Sequence, residues 1–324
     1  MNRITNIVFA ILLALTAMVG CQRKDLLEPH DHRNLTIKTS FDSLALSQLL
    51  SHKSDGYSAP GVPKSTRYVL YDKLMQKVAY TGTFTGFEGG LFAREGYYDL
   101  LVYTTDFHEL DANFFRGMED HSTAETYTRQ SKIEDKSKDN FVEVNMVEPD
   151  PTFSVLQKDI IIVTGYEDNV IEVEFVQKSF KYYLTIHATG LHNIHTAKMS
   201  ISGMFTTAFL TSDEHRMNES GTQTLDLEIH YDSDPADDVD NGYLYGEFWA
   251  FGPHSREDIV NEITMYFVNG SMYTMKLKDL TPQIKKLTKG GEIIVEEVLD
   301  IKGPPSGFQP GVGDWEETDV ELVS

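Results

Sequence analysis

The chain has one cysteine, Cys21, in 324 residues, so no disulfide can form within it. Basic residues are scarce as well: 28 Lys and Arg stand against 50 Asp and Glu, a formal charge of −22. Nucleic acid is excluded as a partner, because phosphate binding draws its affinity from clustered Lys and Arg and this field has the opposite sign. Long helical periods are missing. Only Ser43 to Ser51, and Thr281-Pro282 through Lys289-Gly290, carry start and stop signals, for a turn or two each. A helical or doubly wound fold is thereby disfavoured. Catalytic signatures are missing too. There is no Gly-x-Ser-x-Gly elbow, no His-Glu-x-x-His, no phosphate loop and no Cys nucleophile apart from the one at position 21, so the chain reads as non-enzymatic. Paired carboxylates decide nothing in a chain with 50 acidic residues.

The one long apolar run stands at the start, from Ile7 to Val19 behind Arg3. It is too short for a bilayer core of about 30 Å, which needs about 20 helical residues, and it ends at small Gly20, the build of a secretory signal. Met18-Val19-Gly20-Cys21 resembles the lipobox of bacterial lipoproteins, with Met where Leu is usual. The resemblance implies cleavage before Cys21 and acylation of Cys21, which removes a thiol that would be a liability in an oxidising compartment. Several acyl chains, at about 0.8 kcal/mol per buried methylene, make a firm anchor. Gln22 rather than Asp follows, which in such lipoproteins implies the outer membrane. Removing residues 1–20 leaves 27 basic against 50 acidic residues, a surface suited to solvent outside the cell. The covalent lipid is the only cofactor expected with any force.

Residues 21–34 are polar and carry no period, a tether between lipid and first domain. From there the period is two. Leu35, Ile37, Thr39 and Phe41 alternate with Thr36, Lys38, Ser40 and Asp42, the pattern of a half-buried strand. Tyr68 to Asp72, Lys77 to Phe84 and Val142 to Met146 read as further strands, Tyr97 to Tyr103 is a dense Tyr/Leu/Val strand entered through Gly96, and Ile160 to Val163 reads as a central strand buried on both faces. Turn residues at Gly165-Tyr166-Glu167-Asp168-Asn169 mark a domain boundary. A second series follows: Ile171 to Phe175, Tyr182 to Ala188, Leu225 to Tyr231, Tyr243 to Phe251, Ile263 to Val268, Tyr273 to Leu277 and Ile293 to Ile301. The expectation is all-β, with one sandwich over 35–166, a second over 167–302, and a tail over 303–324. Residues 108–140, which hold Phe114-Phe115, form the longest irregular stretch and read either as a solvated insertion or as a contact surface.

Asp232, Asp234, Asp237, Asp238 and Asp240 place five carboxylates in nine residues. Ca²⁺ takes six to eight oxygens, but the Gly and distal Glu of an EF-hand loop are absent, and a solvated acidic turn explains the run better. His30-Asp31-His32, and His187 with His192 and His195, lack a second ligand cluster and read as surface histidines. Phe248, Trp249 and Phe251 are a sugar-stacking platform or core, and their dense alternation favours core. A glycan-binding surface lipoprotein remains the second reading of the whole chain. It requires exposed aromatics on one loop face.

Three passages carry a resemblance to a known family: Cys21-Gln22-Arg23-Lys24-Asp25-Leu26 with His30 and His32; Gly96-Tyr97-Tyr98-Asp99-Leu100-Leu101-Val102-Tyr103; and Trp315-Glu316-Glu317-Thr318-Asp319-Val320-Glu321-Leu322. Together they resemble the fimbrillin-like lipoproteins of Bacteroidales, the type V pilus components and their accessory proteins, some known only as a domain of unknown function. The resemblance implies two tandem transthyretin-like or Ig-like antiparallel β-sandwiches with few helices. It also implies assembly with fimbrillin-like subunits, in which a partner's strand completes a sandwich that lacks one. Val320 and Leu322, alternating with Asp319 and Glu321 beyond the breaker-rich stretch Gly303-Pro304-Pro305 to Gly313, are either such a donor strand or this chain's own last strand. The second is favoured, since a lone chain must cover its own edges. Stalk subunits of the family are cut by an arginine-directed protease after their first strand. Here Arg33 precedes that strand and Arg67 starts another, so the resemblance points to an uncut, lipid-retaining anchor, tip or accessory subunit exposed at the cell surface.

Overall fold

The computed structural model describes residues 34–43, 45, 47, 64–106, 113–132, 142–163, 169–215, 219–232, 240–254 and 258–302. The signal segment, Cys21 and the tether to residue 33 lie outside the described residues, as does the tail from 303. The protein is all-β, and alternation decides each layer. In β1 (Leu35–Phe41) the side chains of Leu35, Ile37 and Thr39 are buried while Lys38 and Ser40 face water. With β2 (Ser65–Asp72), β3 (Lys77–Phe84), β4 (Glu88–Leu91) and β5 (Gly96–Asp106), and with β10 (Phe153–Ile162) and β11 (Asn169–Gln177), it makes a seven-stranded path in the order β3-β2-β5-β10-β11-β1-β4. One strand turns this path into a sandwich. The stretch Asn169 to Phe175 of β11 pairs with β1, whereas Val176 and Gln177 pair with β10. Leu35, Ile37, Leu70, Leu100, Phe153 and Phe175 meet between the two layers.

The second sandwich repeats the device. Its strands are β12 (Phe180–Thr189), β13 (Ile194–Phe205), β15 (Glu219–Tyr231), β16 (Asn241–Ala250), β17 (Asn261–Phe267), β18 (Met272–Lys276) and β19 (Gly291–Asp300), in the order β18-β17-β13-β15-β16-β12-β19. The first part of β15, Ser220 to Leu227, pairs with β13 and the last, Glu228 to Tyr231, with β16, so β15 again belongs to both layers. Two short strands, β8 (Gln130–Lys132) and β9 (Val142–Met146), extend this sheet, with β9 running parallel to β15. The core gathers Tyr182, Leu184, Met199, Leu244, Phe248 and Ile293. The short helix Thr281–Ile284 starts with proline in its first turn, as Thr281-Pro282 suggested.

Four expectations need correction. The β11 strand, assigned above to the second sandwich, closes the first, and the chain changes sandwich at Lys178-Ser179. The sheets are mixed rather than antiparallel throughout, because β1–β11, β12–β19 and β9–β15 run parallel. The run Ile160 to Val163 is not buried on both faces: Ile160 and Ile162 point inward, while Ile161 is 58% and Val163 57% exposed. Residues 113–132 are not irregular. They form β6 (Asn113–Arg116), β7 (Glu125–Thr128) and β8, and β7 pairs with β14 (Thr207–Phe209), a segment between two strands of the second sandwich.

Gly190, between β12 and a 3₁₀ turn, has φ +74°, and a Cβ there would stand 1.9 Å from the Ile301 carbonyl oxygen. Gly190→Ala is expected to cost about 2 kcal/mol, from a left-handed backbone and a clash that neither chain segment can avoid. Urea unfolding of the two forms measures it.

Candidate functional site

The first strand is an inner strand of its sheet, paired along both edges. Seven residues of β1 run in parallel register with β11, from Leu35 opposite Asn169 to Phe41 opposite Phe175. Its other edge takes β4, from Leu35 opposite Leu91 to Lys38 opposite Glu88. Asn34 pins the start: its amide exchanges hydrogen bonds with Ala93, donating Nδ2 to the carbonyl at 2.8 Å and accepting the Ala93 N–H at 2.9 Å. The Asn34 carbonyl accepts the Asn169 side-chain amide at 2.8 Å. At the other end Phe41 packs on Phe153 and Phe175, with centroids 4.8 and 5.2 Å away. Removing this strand would leave unpaired backbone on β11 and β4 beside an apolar trough, the surface that accepts an extended segment with alternating apolar residues. Arg67 sits in the middle of β2, opposite Thr83 of β3 and Tyr103 of β5, so its backbone is paired on both sides. Arg33 lies outside the described residues.

In the second sandwich β19 ends the sheet, pairing with β12 on one side and with no strand on the other among the described residues. Part of that edge is closed. The Gln283 amide, oriented so that donor meets acceptor, donates to the Ile294 carbonyl at 3.1 Å and accepts the Ile294 N–H at 3.0 Å, as a neighbouring strand would. Glu296 to Val298 bulge out of register with β12, a further device against unwanted edge pairing. The tail begins two residues after this strand.

The segment 113–132 makes polar contacts with both sandwiches. Arg116 of β6 pairs with the fully buried Glu125 of β7 and reaches Glu219 of β15 at 3.2 Å. The Tyr71 hydroxyl donates to the Met118 carbonyl at 3.0 Å, and burial pushes that phenol well above its ordinary pKa. Beside this join lies a cavity of about 630 Å³, walled by Phe180, Phe205, Phe251, Lys178 and His215. The His215 ring stacks on Phe205 at 4.1 Å and its Nδ1 meets the Thr207 carbonyl at 2.8 Å, while burial holds the imidazole below its usual pKa. Lys178 donates to the Ser212 carbonyl at 2.8 Å and to Asp213 at 3.1 Å, and burial lowers it as well.

The residues singled out from sequence are scattered. Cys21, Val320 and Leu322 lie outside the described residues, as do Asp234, Asp237 and Asp238 and the pair His30 and His32. Asp232 and Asp240 frame the acidic turn, and the Asp240 carboxylate is already engaged, accepting the His192 N–H at 2.9 Å and facing His192 Nδ1 at 2.5 Å. His187 stands beside Tyr243, with ring centroids 6.4 Å apart, and His195 faces solvent on β13. Among the described residues no three His, Cys, Asp or Glu side chains converge on a metal position. Phe248, Trp249 and Phe251 are core, at most 1% exposed. No helix among the described residues is long and apolar enough to cross a membrane.

Residues 20–226 match the model of DUF5119, a domain of unknown function. The chain belongs to this family. The match takes in the whole first sandwich, the bridging strands and the second sandwich as far as β15. No curated protein matches the chain. Among solved structures, a candidate adhesin from Bacteroides ovatus superposes with a TM-score of 0.54 at 16% identity, over 88% of this chain and 98% of that one. A second B. ovatus candidate adhesin gives a TM-score of 0.47 at 11% identity, covering 87% and 94%. The fimbrial anchor protein Mfa2 from Porphyromonas gingivalis gives 0.41 at 11% identity, covering 82% and 90%. The family match agrees with the expected membership of a domain-of-unknown-function family, and the fold agrees with the expected all-β architecture.

Proposed function

We propose that this DUF5119 protein is a non-enzymatic cell-surface lipoprotein, held on the outer membrane through Cys21. In this reading it serves as a fimbrial anchor, tip or accessory subunit and assembles by β-strand complementation. The observation that carries the reading is the seating of β1, which fills the groove of its own sandwich between β11 and β4 only 14 residues after the lipidation residue. A subunit built this way has no need to give up its first strand, and with it its lipid, in order to fold. The adhesive part of the reading takes support from the B. ovatus protein of the same fold, itself described as a candidate adhesin. Any strand given to a partner would come from the other end, where Val320 and Leu322 alternate with carboxylates.

The test is fractionation and pull-down from piliated cells with three forms of the chain. The unaltered form is expected in the outer-membrane fraction, bringing fimbrillin-like subunits with it. Cys21→Ala is expected to lose membrane retention almost completely. Val320→Asp with Leu322→Asp is expected to remain on the membrane and lose the partners, since two charges cannot enter an apolar groove unpaired. Recovery of the unaltered chain alone from piliated cells would overturn the fimbrial role.

A further inference from the structure

The outer face of the second sandwich carries a row of aromatic side chains that no part of the core explains. Along β16 the inward positions are Gly242, Leu244, Gly246 and Phe248, so Tyr243, Tyr245 and Glu247 face outward. Register lines them up with their neighbours. His187 of β12, Tyr243 and His230 of β15 form one cross-strand row. Ile294 of β19, Thr185, Tyr245 and Glu228 form the next, and Glu292, Tyr183 and Glu247 the third. The rings are held in place by one another. His230 stacks on Tyr243 at 5.0 Å with planes 9° apart and meets Tyr245 edge-on at 6.0 Å. The Tyr245 hydroxyl donates to Glu247 at 2.7 Å, and Lys181 pairs with Glu247 from beneath while lying 5.2 Å over the Tyr183 ring.

We propose that this face is a binding platform for an uncharged glycan. Three partly exposed tyrosine rings offer apolar surface for the C–H faces of sugar rings, and the interleaved His187, His230, Thr185 and Glu228 offer donors and acceptors for hydroxyls. Charge selects among glycans: Glu228, Glu247 and Glu292 stand on the face and the chain as a whole carries −22, which repels sulfated and sialylated polymers and complements hydroxyl donors. Four strands about 4.8 Å apart, with rows about 7 Å apart along each strand, give room for a short oligosaccharide rather than one sugar. Because the rings are already fixed against each other, binding orders few side chains. The inference goes beyond the fimbrial role and stands on a different face from the β1 groove.

The test uses the mature chain on an array of neutral oligomers of β-linked glucose, galactose, mannose and N-acetylglucosamine, with heparan sulfate and sialyllactose as anionic probes. Hits are titrated by tyrosine fluorescence. Neutral oligomers are expected to bind, with affinity rising with length, and anionic probes to fail. Tyr243→Ala is expected to weaken the hit at least tenfold. Tyr243→Phe keeps the ring and is expected to stay within threefold, with circular dichroism confirming that both variants fold. No neutral hit, a hit confined to anionic probes, or equal binding by folded Tyr243→Ala would overturn the proposal. Loss of pilus partners with glycan binding intact would count against the fimbrial role alone.

Discussion

Ile37→Asp is expected to unfold the first sandwich, lowering its stability by about 5 kcal/mol. Ile37 has no exposed surface and sits at the centre of β1, opposite Ile171 on one side and Gly89 on the other, within the cluster of Leu35, Leu70, Leu100 and Phe175. Truncating such a side chain costs about 2–5 kcal/mol through lost burial and the cavity left behind, and a carboxylate without a partner adds a desolvation cost on top. A whole domain has only about 5–15 kcal/mol to lose. Lys38→Asp is the control, one residue on and facing water, and is expected to change stability by about 0.5 kcal/mol or less. Urea unfolding followed by circular dichroism measures both. If the two variants unfolded at the same midpoint, β1 would not fill the groove, and the case for an uncut, lipid-retaining subunit would fall with it.

Most of the strands could be read from alternation because one face of each is wet. In β1, β11 and β12 a polar or charged residue follows nearly every apolar one, and the structure keeps those periods, whereas β5 is a dense apolar run buried on both faces from Tyr98 to Thr104. The longest strand without a counterpart in the sequence reading is β13, the centre of the second sandwich. Its inward residues, Ala197, Met199 and Ile201, alternate with Lys198 and Ser200. Ala, Met, Ser and Lys carry little strand preference, so the period was present but faint. Which sheet a strand joins is a different kind of information. The turn residues before Asn169 look like a boundary, yet β11 returns to the first sheet through pairings more than 130 residues apart in sequence, from Leu35 to Asn169 onward. Nothing local records such a contact. The same holds in part for the segment 113–132: β6 and β7 pair with each other, but β7 gains its second neighbour only from the distant β14. The aromatic face uses residues of β16 other than those singled out from sequence. On β16 Phe248 points into the core while Tyr243 and Tyr245 take the opposite phase, a difference set by register; Trp249 shares the phase of the tyrosines and is nonetheless buried, so alternation alone does not decide its exposure.

Lys181 shows how a position of solvent-facing phase can be buried, and its loss is expected to cost the second sandwich about 3 kcal/mol. By alternation it belongs with Tyr183, Thr185 and His187 on the outer face of β12, yet its side chain has no exposed surface. Its ammonium pairs with Glu247 at 2.5 Å, and Trp249, which lies opposite Lys181 on β16, donates its backbone N–H to the Glu148 carboxylate at 2.8 Å. Removing one partner of a buried pair leaves the other charge uncompensated, at about 3–5 kcal/mol. Glu247 keeps 26% of its side chain in water, which places Lys181→Ala at the lower end of that range. Lys181→Met with Glu247→Gln removes both charges and keeps the volume, and is expected to recover at least half of the loss. A double-mutant cycle in urea separates the two contributions, and a Lys181→Ala variant within about 1 kcal/mol of the parent would show that the ion pair is not held in a desolvated site. The cycle also bears on the outer face. Glu247 is positioned by Lys181 below and by the Tyr245 hydroxyl beside it, so cutting the lysine frees the carboxylate and, through it, the tyrosine ring on which the platform depends.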